Sequence, residues 1–479
     1  MSKPNVIFIL IDDMGWKDLG CYGSTFYETP NLDRLARQGM RFTDAYASCP
    51  VCSPTRASIL TGRYPARVGV TNFIGGHTRG RLIDAPYVDH LPLENHTLAS
   101  ALRDGGYNTY HVGKWHLGGE QYWPERQGFD ANVAGCHWGM PGNGYFSPYG
   151  NPRLEDGPEG EYLTDRLTDE AIDLIRGSGD TPFFLYLAYY AVHIPIMAKE
   201  EYTDRFREKV KEMGLDNVKT FEVDGHMPCE HKKEKRIRRR LVQSDPEYAA
   251  MVNILDENIG RLLEAVRELG KEEETIVFFT SDNGGLATAE GSPTCNAPLS
   301  DGKGWMYEGG TREPLLVRWP GHTEPGATCS VPVTSPDFYP TILQMAGLDP
   351  LPEQHCDGVS IAPLLEGGQE LDREAIFWHY PHYGNQGGTP GCSVRAGEYK
   401  LIEFFEDGHL ELYNLREDVG EERDLAQEQP ERAEHLHGLL VRWREEVEAV
   451  VPEENPDFEP DEWPGPRAGA SYRRDRHGQ

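Results

Sequence analysis

Four segments of the chain each end an apolar run in residues that can bind a cation or an anion. Asp12 and Asp13 follow the run Val6–Ile11, and Lys114 and His116 follow the run ending in YHVG. His193 follows FFLYLAYYAV, while Asp282 and Asn283 follow TIVFFTS. Taken singly these are commonplace, since an aspartate pair after a strand is about three times more often a turn or helix cap than a ligand. Open α/β sheets, however, bind ligands beyond the carboxyl ends of their strands. Four strands delivering polar residues to one rim is then much less expected by chance. Three carboxylates and an amide oxygen are hard ligands, suited to Ca²⁺ or Mg²⁺ and not to zinc. Lys114, His116, His193 and Lys303 would supply cations around an anion held against that metal. The chemistry expected is transfer or hydrolysis of a tetrahedral oxyanion ester, with the metal as Lewis acid.

A fifth segment, CPVCSPTRASILTGRYP at 49–65, offers a nucleophile. Cys49 and Cys52 have C-x-x-C spacing, but no second pair stands at zinc-like spacing. Pro54 can open a helix through TRASILTGR, which puts residue 52 at a helix N-terminus. That position favours anions and is expected to lower the pKa of a thiol. Arg56 lies one turn on and can face the same point.

Positioning these groups requires an alternating scaffold. Strand-like runs such as VIFILI, FFLYLAYYAV and TIVFFTS alternate with helical patterns such as TPNLDRLARQG, with Thr29 as N-cap and Gly39 as terminator. The pattern predicts an α/β fold, a mostly parallel sheet sandwiched by helices, over residues 1–372. From about Arg373 the runs AIFWHYP, SVRAGEYKLIEFF and HLELYNL read as short antiparallel strands, followed by a helix and a Pro/acid-rich tail. This predicts a smaller C-terminal α+β domain, 373–479. At 479 residues, two domains are the natural expectation.

Composition excludes several classes. With 47 Lys+Arg against 78 Asp+Glu the formal charge is -31, which argues against nucleic acid and anionic membranes as partners. No apolar run approaches the roughly 20 residues of a membrane span. Val6–Ile11 is too short for a signal peptide's apolar core, so the expected location is cytoplasmic, or periplasmic or secreted if a signal peptide has been removed. Nine scattered cysteines do not form a disulfide framework. Asn95-His96-Thr97 fits a glycosylation sequon but reads better as the cap of the following helix.

CSPTRASILTGR matches the signature C-x-P-x-R followed by x-x-x-L-T-G-R of the type I sulfatases in the alkaline-phosphatase superfamily. DDMGWKDLGCYGS, GKWHLG, VHIP, SDNGG and GKGWMYEGGTREPLLVRWPG resemble other segments of that family, in order along nearly the whole chain. The pattern is similar to arylsulfatases and N-acetylgalactosamine sulfatases. The resemblance implies that Cys52 is oxidised to Cα-formylglycine by a maturation enzyme acting on the unfolded chain. The aldehyde hydrate would attack sulfur with one hydroxyl and expel sulfate with the help of the other. It further implies that Asp12, Asp13, Asp282 and Asn283, with residue 52, ligate one Ca²⁺. Arg56 and His116 would hold and deprotonate the diol. Lys114, His193 and Lys303 would clamp sulfate, with His193 or Lys303 protonating the leaving oxygen.

The implied substrate is a carbohydrate or aryl sulfate. A phosphonate monoester hydrolase or phosphodiesterase of the same superfamily is the alternative, and a non-catalytic binding protein would follow if Cys52 stays unmodified. Since the family's second domain overhangs the sulfate pocket, His379 and His382 are expected to contact substrate, with Tyr383 beside them. Loops 73–81 and 137–150, rich in Gly and aromatics, are expected to line the pocket. KKEKRIRRR at 232–240 is a basic island in a polar insertion, expected to be a solvated helix face or, less often, a lid drawing polyanions.

Overall fold

The computed structural model describes residues 3–459. Fifteen strands occur among them. The first five are β1 (Asn5–Ile11), β2 (Met40–Tyr46), β3 (Asn108–Gly113), β4 (Ala131–Val133) and β5 (Phe183–Ala188). A separate hairpin, β6 (Phe221–His226) and β7 (Arg236–Arg240), comes next. The large sheet is completed by β8 (Thr275–Ser281), β9 (Arg312–Arg318), β10 (Ala327–Cys329) and β11 (Val333–Thr334). The last four, β12 (Ile376–Tyr380), β13 (Gly391–Ala396), β14 (Tyr399–Phe404) and β15 (Leu410–Asn414), form an antiparallel sheet of their own.

The large sheet has the order β10-β2-β9-β8-β1-β5-β3-β4, with β11 beside β2. Its pairings are parallel except the two made by β9. The all-apolar β1 is buried along its length because both faces are covered. Ile7, Ile9 and Ile11 pack in the layer containing helices Leu163–Gly177 and Pro246–Glu268. Val6, Phe8 and Leu10 face the opposite layer, with helices Cys52–Thr61, Leu98–Asp104 and Phe338–Met345. The period of two in a strand thus feeds two cores at once.

Register decides where the polar residues go. Leu10 pairs with Ala188, Ile11 with Ser281, and Gly113 with Ala188, so β1, β3, β5 and β8 end level with one another. Asp12, Lys114 and Asp282 therefore leave the sheet at one rim. Because β9 runs antiparallel and Arg312 pairs with Tyr46, the end of β2 and the start of β9 share that rim. The connection from β2 into helix Cys52–Thr61 and the loop carrying Lys303 before β9 are brought there for the same reason.

The small sheet is tied to that loop by buried charge. Lys400 on β14 reaches Glu308 at 2.9 Å and Glu421 at 3.1 Å, all three fully buried. Glu308 opens the turn Glu308–Thr311 five residues after Lys303 and also meets Arg312 at 3.2 Å. Lys400→Met should leave two buried carboxylates without their shared cation, at a cost of about 3–5 kcal/mol. Urea unfolding of the purified variant would measure it; a change under 1 kcal/mol would mean the network is slack.

Several local expectations are revised. Thr29 occupies the N-cap of helix Pro30–Gln38, but its side chain makes no cap bond. Asp256, from the long helix, instead accepts from the backbone N–H of Asn31 at 3.1 Å and of Leu32 at 2.8 Å. The insertion is helix Glu200–Glu212 plus the β6–β7 hairpin, so KKEKRIRRR runs into a strand and not along a helix. Part of it faces inward: Arg239 pairs with Asp224 and Asp301, and Ile237 and Arg240 are buried. Thr97 does cap Leu98–Asp104 through Ser100, and Asn95 is buried. All nine cysteines are free. No helix of the described residues is long and apolar enough to cross a membrane. Of the expected tail, residues 460–479 lie outside the described residues.

Candidate active site

Helix Cys52–Thr61 is buried at every position, an uncommon burial for a segment containing Arg56, Ser53 and Thr55. Its first residue is Cys52 itself, two ahead of Pro54. Proline is tolerated there because first-turn N–H groups have no partner within the helix. Gly62 in the left-handed region ends it.

Cys52 Sγ lies 3.3 Å from His116 Nδ1. His116 Nε2 is 3.1 Å from the Ile74 carbonyl, which can only accept, so Nε2 carries the proton and Nδ1 presents a lone pair to residue 52. Burial, helped by the Lys114 charge, holds the His116 pKa well below its ordinary value, so the ring is neutral. His116 and Asp13 both adopt left-handed backbone, with φ of 56° and 66°. Such conformations at non-glycine residues cost of order 1–3 kcal/mol and cluster at functional sites. Gly139 packs on the His116 ring, where a Cβ would come within 2.6 Å, so any larger residue would displace the imidazole.

The charged groups form interlocked pairs. Lys114 Nζ donates to Asp12 Oδ2 at 2.7 Å with both side chains fully buried. Lys303 Nζ sits 2.8 Å from Asp13 Oδ1 and from Oδ2. Arg56 donates through Nε to Asp282 Oδ2 at 2.9 Å and through a terminal nitrogen to the Lys114 carbonyl at 2.8 Å. Asn283 donates to Asp13 Oδ1 at 2.8 Å. His193 Nδ1 donates to the Ile194 carbonyl at 2.8 Å, leaving Nε2 toward Asp13 Oδ2 at 3.6 Å.

Burial pushes the Asp12 carboxyl up to about 8, although Lys114 opposes it. Burial acts the same way on Asp13, but Lys303 and His193 beside it win and hold it low. Burial and the Lys303 charge take His193 down to about 3. The Asp13 carboxylate raises Lys303 despite burial. One expectation fails here. Burial, helped by the charges of Asp282 and Asp12, raises the Cys52 thiol pKa against the opposing pull of Lys114 and Lys303, so the unmodified thiol presents little thiolate.

A metal has a place in this arrangement. Asp12, Asp13 and His193 offer ligand atoms within 4.8 Å of one another, all buried. Asp12 Oδ1 and Asn283 Oδ1 are buried without a hydrogen-bond partner. Orphaned buried oxygens are costly, and a cation against them removes the cost.

A cavity of ≈ 250 Å³ opens over these groups, with Cys52, His116, His193 and Lys303 in its wall. Loop 73–81 contributes Phe73, Ile74 and Gly75, and loop 137–150 contributes Gly139 and Met140. Loop 377–388 does reach the cavity, but through Asn385 and Gln386. His379 and His382 are not in the wall. His379 Nε2 is 2.9 Å from the Val450 carbonyl, and His382 bridges Asp84 at 2.6 Å and Thr71 at 2.9 Å. Tyr383 is likewise buried, donating to Glu406 at 2.6 Å. β-strand alternation and packing decide this, and an isolated histidine in a sequence carries no sign of either. Glu290 also lines the cavity and had no distinguishing signal beyond its loop.

The family profile described as Sulfatase matches residues 4–348, and that of the N-sulphoglucosamine sulphohydrolase C-terminal region matches 301–446. N-acetylgalactosamine-6-sulfatase of Mus musculus is 33% identical over 83% of this chain and 72% of its own length. Arylsulfatase A of Homo sapiens is 34% identical over 85% of this chain and 75% of its own. The crystal structure of Ps i-CgsB in complex with k-i-k-neocarrahexaose superposes with a TM-score of 0.74 at 28% identity, covering 96% of both chains. With the fold, the rim and the ordered motifs agreeing, the chain belongs to the sulfatase family of the alkaline-phosphatase superfamily and is a sulfuric ester hydrolase.

Proposed function

We propose that this chain is a formylglycine- and calcium-dependent sulfatase that removes an O-sulfate from a carbohydrate of the galactose or N-acetylgalactosamine type. The observation that carries the reading is the pairing of Cys52 with the bare Nδ1 of a neutral His116, among three buried cation–carboxylate pairs. The name of the relative N-acetylgalactosamine-6-sulfatase supports the sugar class, while that of arylsulfatase A supports sulfate-ester hydrolysis.

Asp12, Asp13, Asp282 and Asn283 are the residues that would hold Ca²⁺, an oxygen set that suits a hard cation. Bound there, the ion would act as a Lewis acid on the ester oxygens. Formylglycine at residue 52 would supply an oxygen nucleophile that can release sulfate again, which a plain thiol or hydroxyl cannot do. Cys52 is only 3% exposed, which supports conversion by the maturation enzyme before the chain folds. His116 Nδ1 takes the proton from residue 52. Arg56 holds Asp282 in place and adds positive charge behind it. Lys114 and Lys303 bring fixed cations to the charge that develops on the departing ester. Lys303, which keeps its proton, is the group that delivers one to the leaving oxygen, since the ring proton of a neutral His193 is committed to the Ile194 carbonyl. On this reading residues 1–372 are the catalytic unit and 373–479 the second domain.

The rival superfamily activity is represented by a phosphonate monoester hydrolase from Agrobacterium radiobacter, which shares the fold at 20% identity and a TM-score of 0.65. The deciding experiment is a panel of singly sulfated sugars, an aryl sulfate and an aryl phosphate, with and without a calcium chelator. Release of sulfate from a galactose- or N-acetylgalactosamine-type sugar, lost on chelation, is the expected result. Faster turnover of the phosphate than of every sulfate would overturn the proposal.

A further inference from the structure

The cavity over Cys52 has a second polar group in its wall, built from three separate parts of the chain. Glu290, from the loop between β8 and β9, contributes a carboxylate whose side chain is 24% exposed. Its backbone is left-handed, with φ of 55°. Gln386 donates through Nε2 to Glu290 Oε2 at 3.1 Å, and Lys232 lies 3.4 Å from Oε1. Lys232 also donates to the Asn385 carbonyl at 2.9 Å, and His231 donates to Asn385 Oδ1 at 2.9 Å. That leaves the Asn385 side-chain N–H groups uncommitted.

Gln386 is 4% exposed, and its Oε1 is buried without a partner. Its backbone carbonyl is pinned by Thr288 at 2.8 Å and by the Trp305 indole at 3.1 Å. Gly304 lies against its side chain, where a Cβ would come within 2.6 Å of Oε1. Nothing in the conversion of residue 52 or in sulfate binding uses this group, yet it is held rigidly beside them.

Resting on the sulfatase reading, we propose that Glu290, Asn385 and Gln386 form the specificity site that reads the hydroxyl groups of the sulfated sugar. The Glu290 carboxylate, held in place by Gln386, is an acceptor, so the ligand must bring O–H or N–H donors to it. Asn385 then supplies donors to the ligand's own oxygens. A second sulfate offers acceptors only and brings like charge to Glu290, so the site excludes it. Glu290 also stands in the wall of an adjoining ≈ 460 Å³ cavity that contains Asp245 and Glu247. A sugar unit continuing past the sulfated one meets further carboxylates there, and the same exclusion applies to it.

The test uses Glu290→Ala and Glu290→Gln in the full, matured chain, with three substrates: a monosulfated monosaccharide, its disulfated counterpart and nitrophenyl sulfate. Losing a hydrogen bond to a charged acceptor costs about tenfold to hundredfold. In Glu290→Ala the ratio of kcat/KM for the monosulfated sugar to that for nitrophenyl sulfate should fall by about that factor, mainly through KM. Glu290→Gln should recover part of the loss and narrow the preference against the disulfated sugar. An equal fall on the sugar and on nitrophenyl sulfate would overturn the proposal by making Glu290 a structural residue. Wild-type turnover of nitrophenyl sulfate with no sugar sulfate accepted would overturn it while leaving the sulfatase standing. No turnover of any sulfate ester would remove the underlying reading instead.

Discussion

Asp13→Ala and Asp282→Ala should each lower kcat/KM on any sulfate ester by about a thousandfold or more, the scale of a lost Lewis acid. The reason lies in how the carboxylates are placed. Asp12, Asp13 and Asp282 are each no more than 1% exposed, and among the described residues they pair with Lys114, Lys303 and Arg56 in turn. Asp12 Oδ1 and Asn283 Oδ1 still lack a partner, so the set retains capacity for a cation. A ligand that binds only the folded chain stabilises it by about 2.7 kcal/mol at a hundred times its Kd. The calcium-loaded protein should therefore melt above the chelated protein, and the difference should vanish in Asp282→Ala. Because that variant also strands Arg56, Asp282→Asn is the companion, expected to keep the fold and lose the calcium-dependent shift. Elemental analysis showing stoichiometric zinc with calcium absent would count against the oxygen-ligand site. So would equal melting of the two forms.

How much of this was legible beforehand depended on whether the signal was local. The apolar runs that became β1, β5 and β8 needed only burial on both faces, and their ends needed only parallel register, so the residues of the rim could be read as a group. Asp12, Lys114 and Asp282 are next to strand ends, and position alone places them. Lys303 is reached through a long connection, and it arrives because β9 is antiparallel. The readings that failed depended on facts a linear chain does not display. Whether His379 faces the cavity or the Val450 carbonyl depends on how β12 packs. The pKa of Cys52 is a contest between desolvation and the charges of Lys114 and Lys303, and its depth of burial exists only in the fold. Asn385 and Gln386 lie in a loop expected at the pocket, but polar amides stand out less than histidines when residue type is the only guide. The basic run at 232–240 misled in a similar way, because Arg239 and Arg240 are paired inward with Asp301 and Asp245.

Replacing Cys52 should produce the largest loss in the protein, and the choice of replacement separates two roles. Cys52→Ala removes any nucleophile and should leave no turnover above background, while the calcium-dependent melting shift remains from the other four ligands. Cys52→Ser keeps one oxygen 64 residues before His116 in sequence but within reach of its Nδ1 in space, as the present 3.3 Å contact of sulfur shows. A serine can accept sulfate, but it lacks the second hydroxyl with which to expel it. Rapid mixing with an aryl sulfate should then release at most one equivalent of phenol per site and stop. Matured wild-type protein should turn over continuously, and peptide mass spectrometry should find residue 52 lighter than cysteine by the exchange of a thiol carbon for an aldehyde. Burial also raises the pKa of the unconverted thiol, which lowers the share of thiolate available for direct attack and favours the converted residue as nucleophile. Full activity from protein whose residue 52 is entirely cysteine would overturn this account, as would sustained turnover by Cys52→Ser.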